Sequence, residues 1–266
     1  MSEALTSTGI EALDLFLKGG LPKGFTTLLL APSGAGAEIF AKQFCAGQST
    51  ERAVYVTTDE SAAEVQAAAR EAGWSIGHVQ VVDLQTEFAD AMLETQQRAR
   101  EGAAEPKRFD PRDLIEGTSS LDFLRKPDDS RRAAASNRTD YLGRLVEPFQ
   151  RLKAPDRVAV HSLDFFLNLY TPDQVVAVLT ALKAANSKAG GLMLWVLAKG
   201  AHGATVERRL ELLSDCLIEL EVSRKGTTFE RYFMVKKVKN RSYGIGVSTY
   251  EVTDKGFMLE TLERIV

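Results

Sequence analysis

The sequence predicts an α/β fold with a mainly parallel β-sheet flanked by helices and antiparallel strands at its C-terminal end. Three observations predict it. Short, nearly continuously apolar runs alternate with longer helical patterns, as strands covered on both faces and joined by crossover helices should. The stretch Ala31-Pro32-Ser33-Gly34-Ala35-Gly36-Ala37-Glu38 follows one such run and opens a helical pattern, the place of a phosphate-binding loop. From Asp215 onward the alternation gives way to β-rich segments separated by short turns.

In chain order, Phe25–Leu30, Ala53–Thr58, His78–Leu84, Arg157–Leu163 and Gly191–Ala198 read as buried strands. Between them Ala37–Gly47, Ser61–Gly73, Phe88–Arg100, Tyr141–Leu152 and Pro172–Lys188 read as helices, so the crossovers are right-handed and the strands parallel. Asp215–Arg224, Glu230–Lys239 and Ser248–Thr253, joined by Lys225-Gly226 and 240–246, form the terminal antiparallel extension. One stretch interrupts this regularity. Residues 102–138 contain Pro106, Pro111 and Pro127 and read as an insertion in a single domain spanning 1–266. Phe109, Leu114, Phe123 and Leu124 stand among charges there, the composition of either a mobile charged loop or a segment that docks a protein partner.

Composition bounds the function. A chain of 266 residues, 44% hydrophobic and 26% charged, buries one sizeable core. Its net charge of −3 offers no global attraction to nucleic acid or a membrane surface. The basic clusters Arg125-Lys126, Arg131-Arg132 and 236–241 lack interleaved aromatics for base stacking. Cys45 and Cys216 lie in apolar surroundings and read as reduced core thiols, and no metal-ligand spacing is present. Met1-Ser2-Glu3-Ala4 carries no basic-then-apolar signal, and the run Leu192–Ala198 is far short of the ~20 residues that span a bilayer. The expected location is the cytoplasm.

The loop has the place of a phosphate cradle without its side chains. A working G-x-x-x-x-G-K-[ST] loop holds the β/γ-phosphates with its Lys and Mg²⁺ with its hydroxyl. Here Ala31 replaces the first Gly, Gly36 survives, and Ala37 and Glu38 replace the Lys and the hydroxyl residue. A carboxylate suits the positive end of a helix but opposes a triphosphate aimed at the same spot.

Further stretches fall in a familiar order: Thr8-Gly9-Ile10-Glu11-Ala12-Leu13-Asp14, Gly19-Gly20-Leu21-Pro22-Lys23-Gly24, the loop, Val54–Ser61 with its acidic pair, and Tyr250–Phe257. Over residues 8–85 and 139–260 the chain resembles the KaiC-like branch of the RecA superfamily, whose members carry T-G-[IV]-x-x-L-D, G-G-[IL]-P-x-G, a P-loop and a C-terminal T-x-x-G. The resemblance implies a RecA-like P-loop core. It also assigns roles residue by residue. Ser33, Gly34, Ala35, Gly36, Ala37 and Glu38 are a vestigial P-loop, and Asp59 and Glu60 match the acids that orient the attacking water. These acids equally suit the start of the helix at Ser61. His161 takes the position of the strand-end aspartate that helps hold Mg²⁺, and reads as a packed or hydrogen-bonded residue. Asp164 could replace that aspartate only if the strand shifted register. Lys237 and Lys239 match the basic residues with which relatives, as rings or filaments, complete a neighbour's nucleotide site, and alternating lysines equally read as a solvated, edge-protecting strand face.

The expected function is therefore a catalytically inactive pseudo-ATPase that regulates, signals or assembles through protein partners, as a homo- or hetero-oligomer. No cofactor, metal or catalytic residue is expected. The alternatives are a switch with weak ATP or ADP binding, and a recombination or repair paralogue scaffolding on DNA.

Overall fold

The computed structural model describes residues 5–47, 50–101, 140–150, 156–241 and 245–260. The insertion expected at 102–138 lies outside the described residues. In order, the elements are β1 (Leu5–Thr6), α1 (Glu11–Phe16), β2 (Leu21–Pro22), β3 (Thr26–Ala31), α2 (Ala37–Ala46), β4 (Ala53–Thr57), α3 (Ala62–Glu71), β5 (Val79–Asp83) and α4 (Leu84–Glu101). After residue 139 come α5 (Tyr141–Gln150), β6 (Arg157–His161), α6 (Leu163–Leu169), α7 (Pro172–Ala189), β7 (Leu192–Ala198), α8 (Ala204–Leu213), β8 (Cys216–Lys225), β9 (Thr228–Val238), β10 (Gly246–Thr253) and β11 (Gly256–Leu259).

Nine strands form one sheet in the order β11-β10-β9-β8-β3-β7-β6-β4-β5, beside a small β1-β2 ladder. From β8 to β5 all pairs are parallel, and β8-β9, β9-β10 and β10-β11 are antiparallel. The parallel strands are buried on both faces because successive residues feed opposite cores. Leu29, Tyr55, Ala159 and Leu194 point to a core shared with α1, α2, β10 and β11. Leu28, Val54, Val158 and Trp195 point to a second core under α4 to α8.

Helix starts follow local capping. Ser61 and Glu64 form a reciprocal capping box at α3, and Thr171 and Gln174 form one at α7 with Pro172 in its first turn. Gly190 closes α7 in the left-handed conformation at φ 77°. The helix expected at Phe88–Arg100 begins earlier, at Leu84. Asp83 ends β5 and accepts bonds from the Thr86 N–H and hydroxyl, so strand passes to helix without a loop.

The motifs that carried the resemblance brace the lower end of the sheet. Asp14 accepts bonds from the Thr8 N–H and hydroxyl and from the Ser7 hydroxyl, fixing the chain before α1. Arg157, 1% exposed, donates to Glu51 at 2.7 Å and to the carbonyls of Phe44 at 3.0 Å and Ser7 at 2.8 Å. That one guanidinium joins β6, the end of α2 and the N-terminal segment. At Gly20, φ is 106° and a Cβ would stand 2.2 Å from the Thr6 carbonyl oxygen, so only glycine fits there.

Candidate functional site

At the upper end of the sheet β3 stops at Ala31, and residues 32–36 turn the chain into α2. Gly36 caps this helix at φ 82° with no side-chain cap, and Gly34 is also left-handed at φ 76°. A Cβ on Gly36 would lie 2.5 Å from Cγ2 of Val252 on β10. The C-terminal strands thus press against the loop from behind. Tyr250, also on β10, donates its hydroxyl to the Ala35 carbonyl at 2.7 Å. Burial pushes the Tyr250 phenol up to about 12, with Arg231 pulling it down and Glu38 adding to the rise.

A cavity of about 400 Å³ opens over the loop. Ser33, Gly34, Ala37 and Glu38 form one wall, Asp59, His161 and Asp164 another, and Val196 and Leu197 contribute apolar surface. Parallel pairing explains the convergence, since β3, β4, β6 and β7 all end on this side. His161 Nδ1 lies 2.9 Å from Asp59 Oδ1, with the imidazole 8% exposed. Asp164 reaches the cavity without any strand shift, because α6 begins immediately after β6 and places it in its first turn. Its oxygens take the Ala198 N–H at 3.0 Å and His202 Nε2 at 2.8 Å. Glu38 makes no hydrogen bond or ion pair with the described residues.

Glu60 turns away from its neighbour Asp59. Its carboxylate takes Lys42 Nζ at 2.8 and 2.6 Å, and Lys42 is only 5% exposed. Thr57 holds the Glu60 backbone by donating to its carbonyl at 2.7 Å and accepting its N–H at 3.2 Å. Neither acid caps α3: Ser61 does so, and the Ala62 N–H goes to Asp83 at 2.8 Å. Just before that helix, Asp59 and Glu60 each enter a specific side-chain pair, with His161 and with Lys42.

Lys237 and Lys239 lie at the other end of the sheet. Leu217, opposite Lys237 on β8, pairs with Leu28, low on β3. Lys237 donates to the carbonyls of Glu211 and Ser214 at 2.7 and 2.5 Å, closing α8, and Lys239 lies 3.5 Å from Asp215. Burial and the neighbouring Lys183 hold the Lys237 ammonium below the ordinary lysine range. Cys45 and Cys216 are buried free thiols, and burial pushes both up to about 12. Among the described residues no group of three His, Cys, Asp or Glu is placed to hold a metal ion, and no helix is long and apolar enough to cross a membrane.

Sequence reasoning missed Lys42, the Asp164–His202 pair and the Tyr250 contact. Lys42 left one signal, a lone cation among Phe40, Ala41, Phe44 and Cys45 on a buried helix face.

A parallel sheet with a glycine loop at its upper end and a terminal antiparallel ribbon is the architecture of RecA-like P-loop proteins. A family model described as ATPase: KaiC matches residues 6–263, and the chain belongs to that family. Among individual proteins it is 26% identical over 265 residues to a UPF0273 protein of Thermotoga maritima, a match covering 95% of this chain and 94% of that one. It is 38% identical over 72 residues to the circadian clock oscillator protein KaiC of Parathermosynechococcus lividus, where the match spans 26% of this chain and 13% of the clock protein. The crystal structure of a KaiC-like protein from Pyrococcus horikoshii has the same fold, with a TM-score of 0.64 at 19% identity, covering 98% of this chain and all of that one.

Proposed function

We propose that this chain is a catalytically inactive KaiC-type domain of the cytoplasm that regulates, signals or assembles through protein partners, in a homo- or hetero-oligomer. One observation carries the reading: the cavity over the loop presents Glu38, Asp59 and Asp164 and, among the described residues, is lined by no lysine or arginine. A Mg²⁺-triphosphate does not fit these residues. Ala37 offers no ammonium to the phosphates, Glu38 faces them with a like charge, and an imidazole at His161 is a poor partner for a hard, oxygen-seeking ion. At an effective dielectric of ~20, like charges ~4 Å apart repel by about 4 kcal/mol, several hundredfold in affinity. Glu60, matched to water activation, is held by Lys42 instead.

The test is phosphate release from millimolar ATP or GTP with Mg²⁺, alongside calorimetric titration. The expected result is no turnover above background, with binding of Mg²⁺-ATP gained in the Ala37→Lys, Glu38→Thr double variant. Turnover abolished by Glu60→Gln would overturn the reading.

A second reading, a switch with weak ATP or ADP binding, draws on the loop backbone. Gly36 leaves the first N–H groups of α2 without a side-chain cap, and such groups attract anions. Micromolar, Mg²⁺-dependent binding by the wild-type chain would favour it.

A further inference from the structure

The acidic cavity has acceptors of its own and, among the described residues, no lysine or arginine in its lining to satisfy them. Glu38 has both carboxylate oxygens unengaged among the described residues. Asp59 spends one oxygen on His161. The His161 ring lines the cavity, is 8% exposed, and forms no bond through its second nitrogen among the described residues. In the neutral ring with Nδ1–H donating to Asp59, that nitrogen is an acceptor held in a fixed orientation. One buried hydroxyl near the site, outside the cavity lining, lacks a partner. The Tyr55 hydroxyl on β4 makes no hydrogen bond among the described residues, and burial, reinforced by Glu60, Asp59 and Glu38, lifts its phenol well above the ordinary tyrosine range. Of the described cations, Lys42 is committed to Glu60 and Lys199 to Glu219 and Glu221, while Arg231, which acts on the Tyr250 phenol, does not line the cavity.

We propose that this cavity is a binding site for an alkylguanidinium group. This inference rests on the reading of the chain as inactive toward nucleotide. A guanidinium brings five N–H donors in a plane and no acceptor, which answers a wall made of carboxylates and an imidazole acceptor. Its positive charge meets Glu38 and Asp59. Its aliphatic stem has the apolar lining of Val196 and Leu197 to meet. An ammonium would supply a compact point charge, whereas the acceptors here are spread over the start of α2, the turn after β4 and the end of β6. The group has two sources, a free small molecule or the arginine side chain of a second protein chain.

Titration calorimetry of the full chain with butylguanidine, and with neutral, similarly shaped butylurea, tests the class. The expected result is saturable binding of butylguanidine and none of butylurea. Glu38→Gln and Asp59→Asn should each weaken binding about tenfold or more, the scale of one charge-assisted hydrogen bond. Asp173→Asn, the same charge change at an exposed position on α7, should leave it unaltered. Sedimentation with and without butylguanidine separates the sources. A shift to lighter species assigns the group to a second chain, and unchanged mass assigns it to a small molecule. Equal binding of butylurea, or no effect of Glu38→Gln and Asp59→Asn together, would overturn the proposal. Silence toward both butylguanidine and Mg²⁺-ATP would sink this inference alone, whereas turnover of ATP would sink the functional reading beneath it.

Discussion

The two ends of the sheet answer to the same family pattern in opposite ways. At the lower end Thr8, Asp14, Gly20 and Arg157 match or support the pattern, and each is used up in contacts within the chain. At the upper end Gly34 and Gly36 are left-handed, and Ala37 and Glu38 stand where a G-x-x-x-x-G-K-[ST] sequence has its lysine and hydroxyl. The difference teaches that the motifs of such a fold contain two separable sets. One set holds the loop in place and is demanded by packing. The other acts on a ligand and is free to change while the frame stands.

Substitutions can break or sharpen that division. The largest effect is expected from Arg157→Ala, which leaves Glu51 and two buried carbonyls without their donor. It should cost about 4 kcal/mol in urea unfolding, as removal of one partner from a buried pair does. An effect below 1 kcal/mol, roughly the worth of an exposed ion pair, would mean that the lower end is not the brace. Next comes Gly20→Ala, which forces a Cβ against the Thr6 carbonyl at positive φ; about 3 kcal/mol of lost stability is expected by the same measurement.

Glu60→Gln sits on the boundary between the two sets. If Glu60 now belongs to the frame, the variant loses about 2 kcal/mol, because Lys42 keeps its burial but not its counter-charge. Phosphate release should stay at background in both proteins. Unchanged stability with altered phosphate release would return Glu60 to the ligand-directed set.

The smallest effect concerns acid pH. Glu219 is buried on β8 between Lys199 and Lys236. Burial alone would raise its carboxyl, but the two lysines outweigh it and hold it below the ordinary glutamate value. Its folded-state value is thus depressed. The stability it supplies is present above the unfolded-state value and disappears as pH falls through the folded one. Urea midpoints from neutral to acid pH should fall less steeply in Glu219→Gln than in the wild type.

Much of the frame was legible in the sequence because period and turn chemistry are local. The apolar runs ending at Leu30, Thr58 and Ala198 became β3, β4 and β7, and Ser61 and Thr171 cap the helices that follow them. The small elements were not legible. α1, α6, α8, β11 and the β1-β2 ladder rest on tertiary support, and the six residues of α1 are too few to carry a periodic signal. At the site, the departures at Ala37, Glu38 and His161 were visible as residue types, but their partners were not. Lys42 meets Glu60 across 18 positions and His161 meets Asp59 across 102, separations that no local pattern encodes. A strand running to Leu163, as the apolar pattern predicts, leaves Asp164 out of register. Ending β6 at His161 puts Asp164 on a helix aimed at the cavity.

The ribbon of β10 and β11 gives the molecule an optical property. Its turn at Gly256 closes on the ring of Trp74, so tightly that a Cβ there would lie 2.5 Å from Cζ2, while Gln43 on α2 accepts the Phe257 N–H at 2.7 Å. The second tryptophan, Trp195, is sealed in the opposite core. One indole therefore emits from a constant apolar surrounding and the other from the seam between ribbon and body. Anything that shifts the loop pulls on Ala35 and, through Tyr250, on that seam, so the colour of Trp74 fluorescence becomes an intrinsic gauge of loop position, read without any added label.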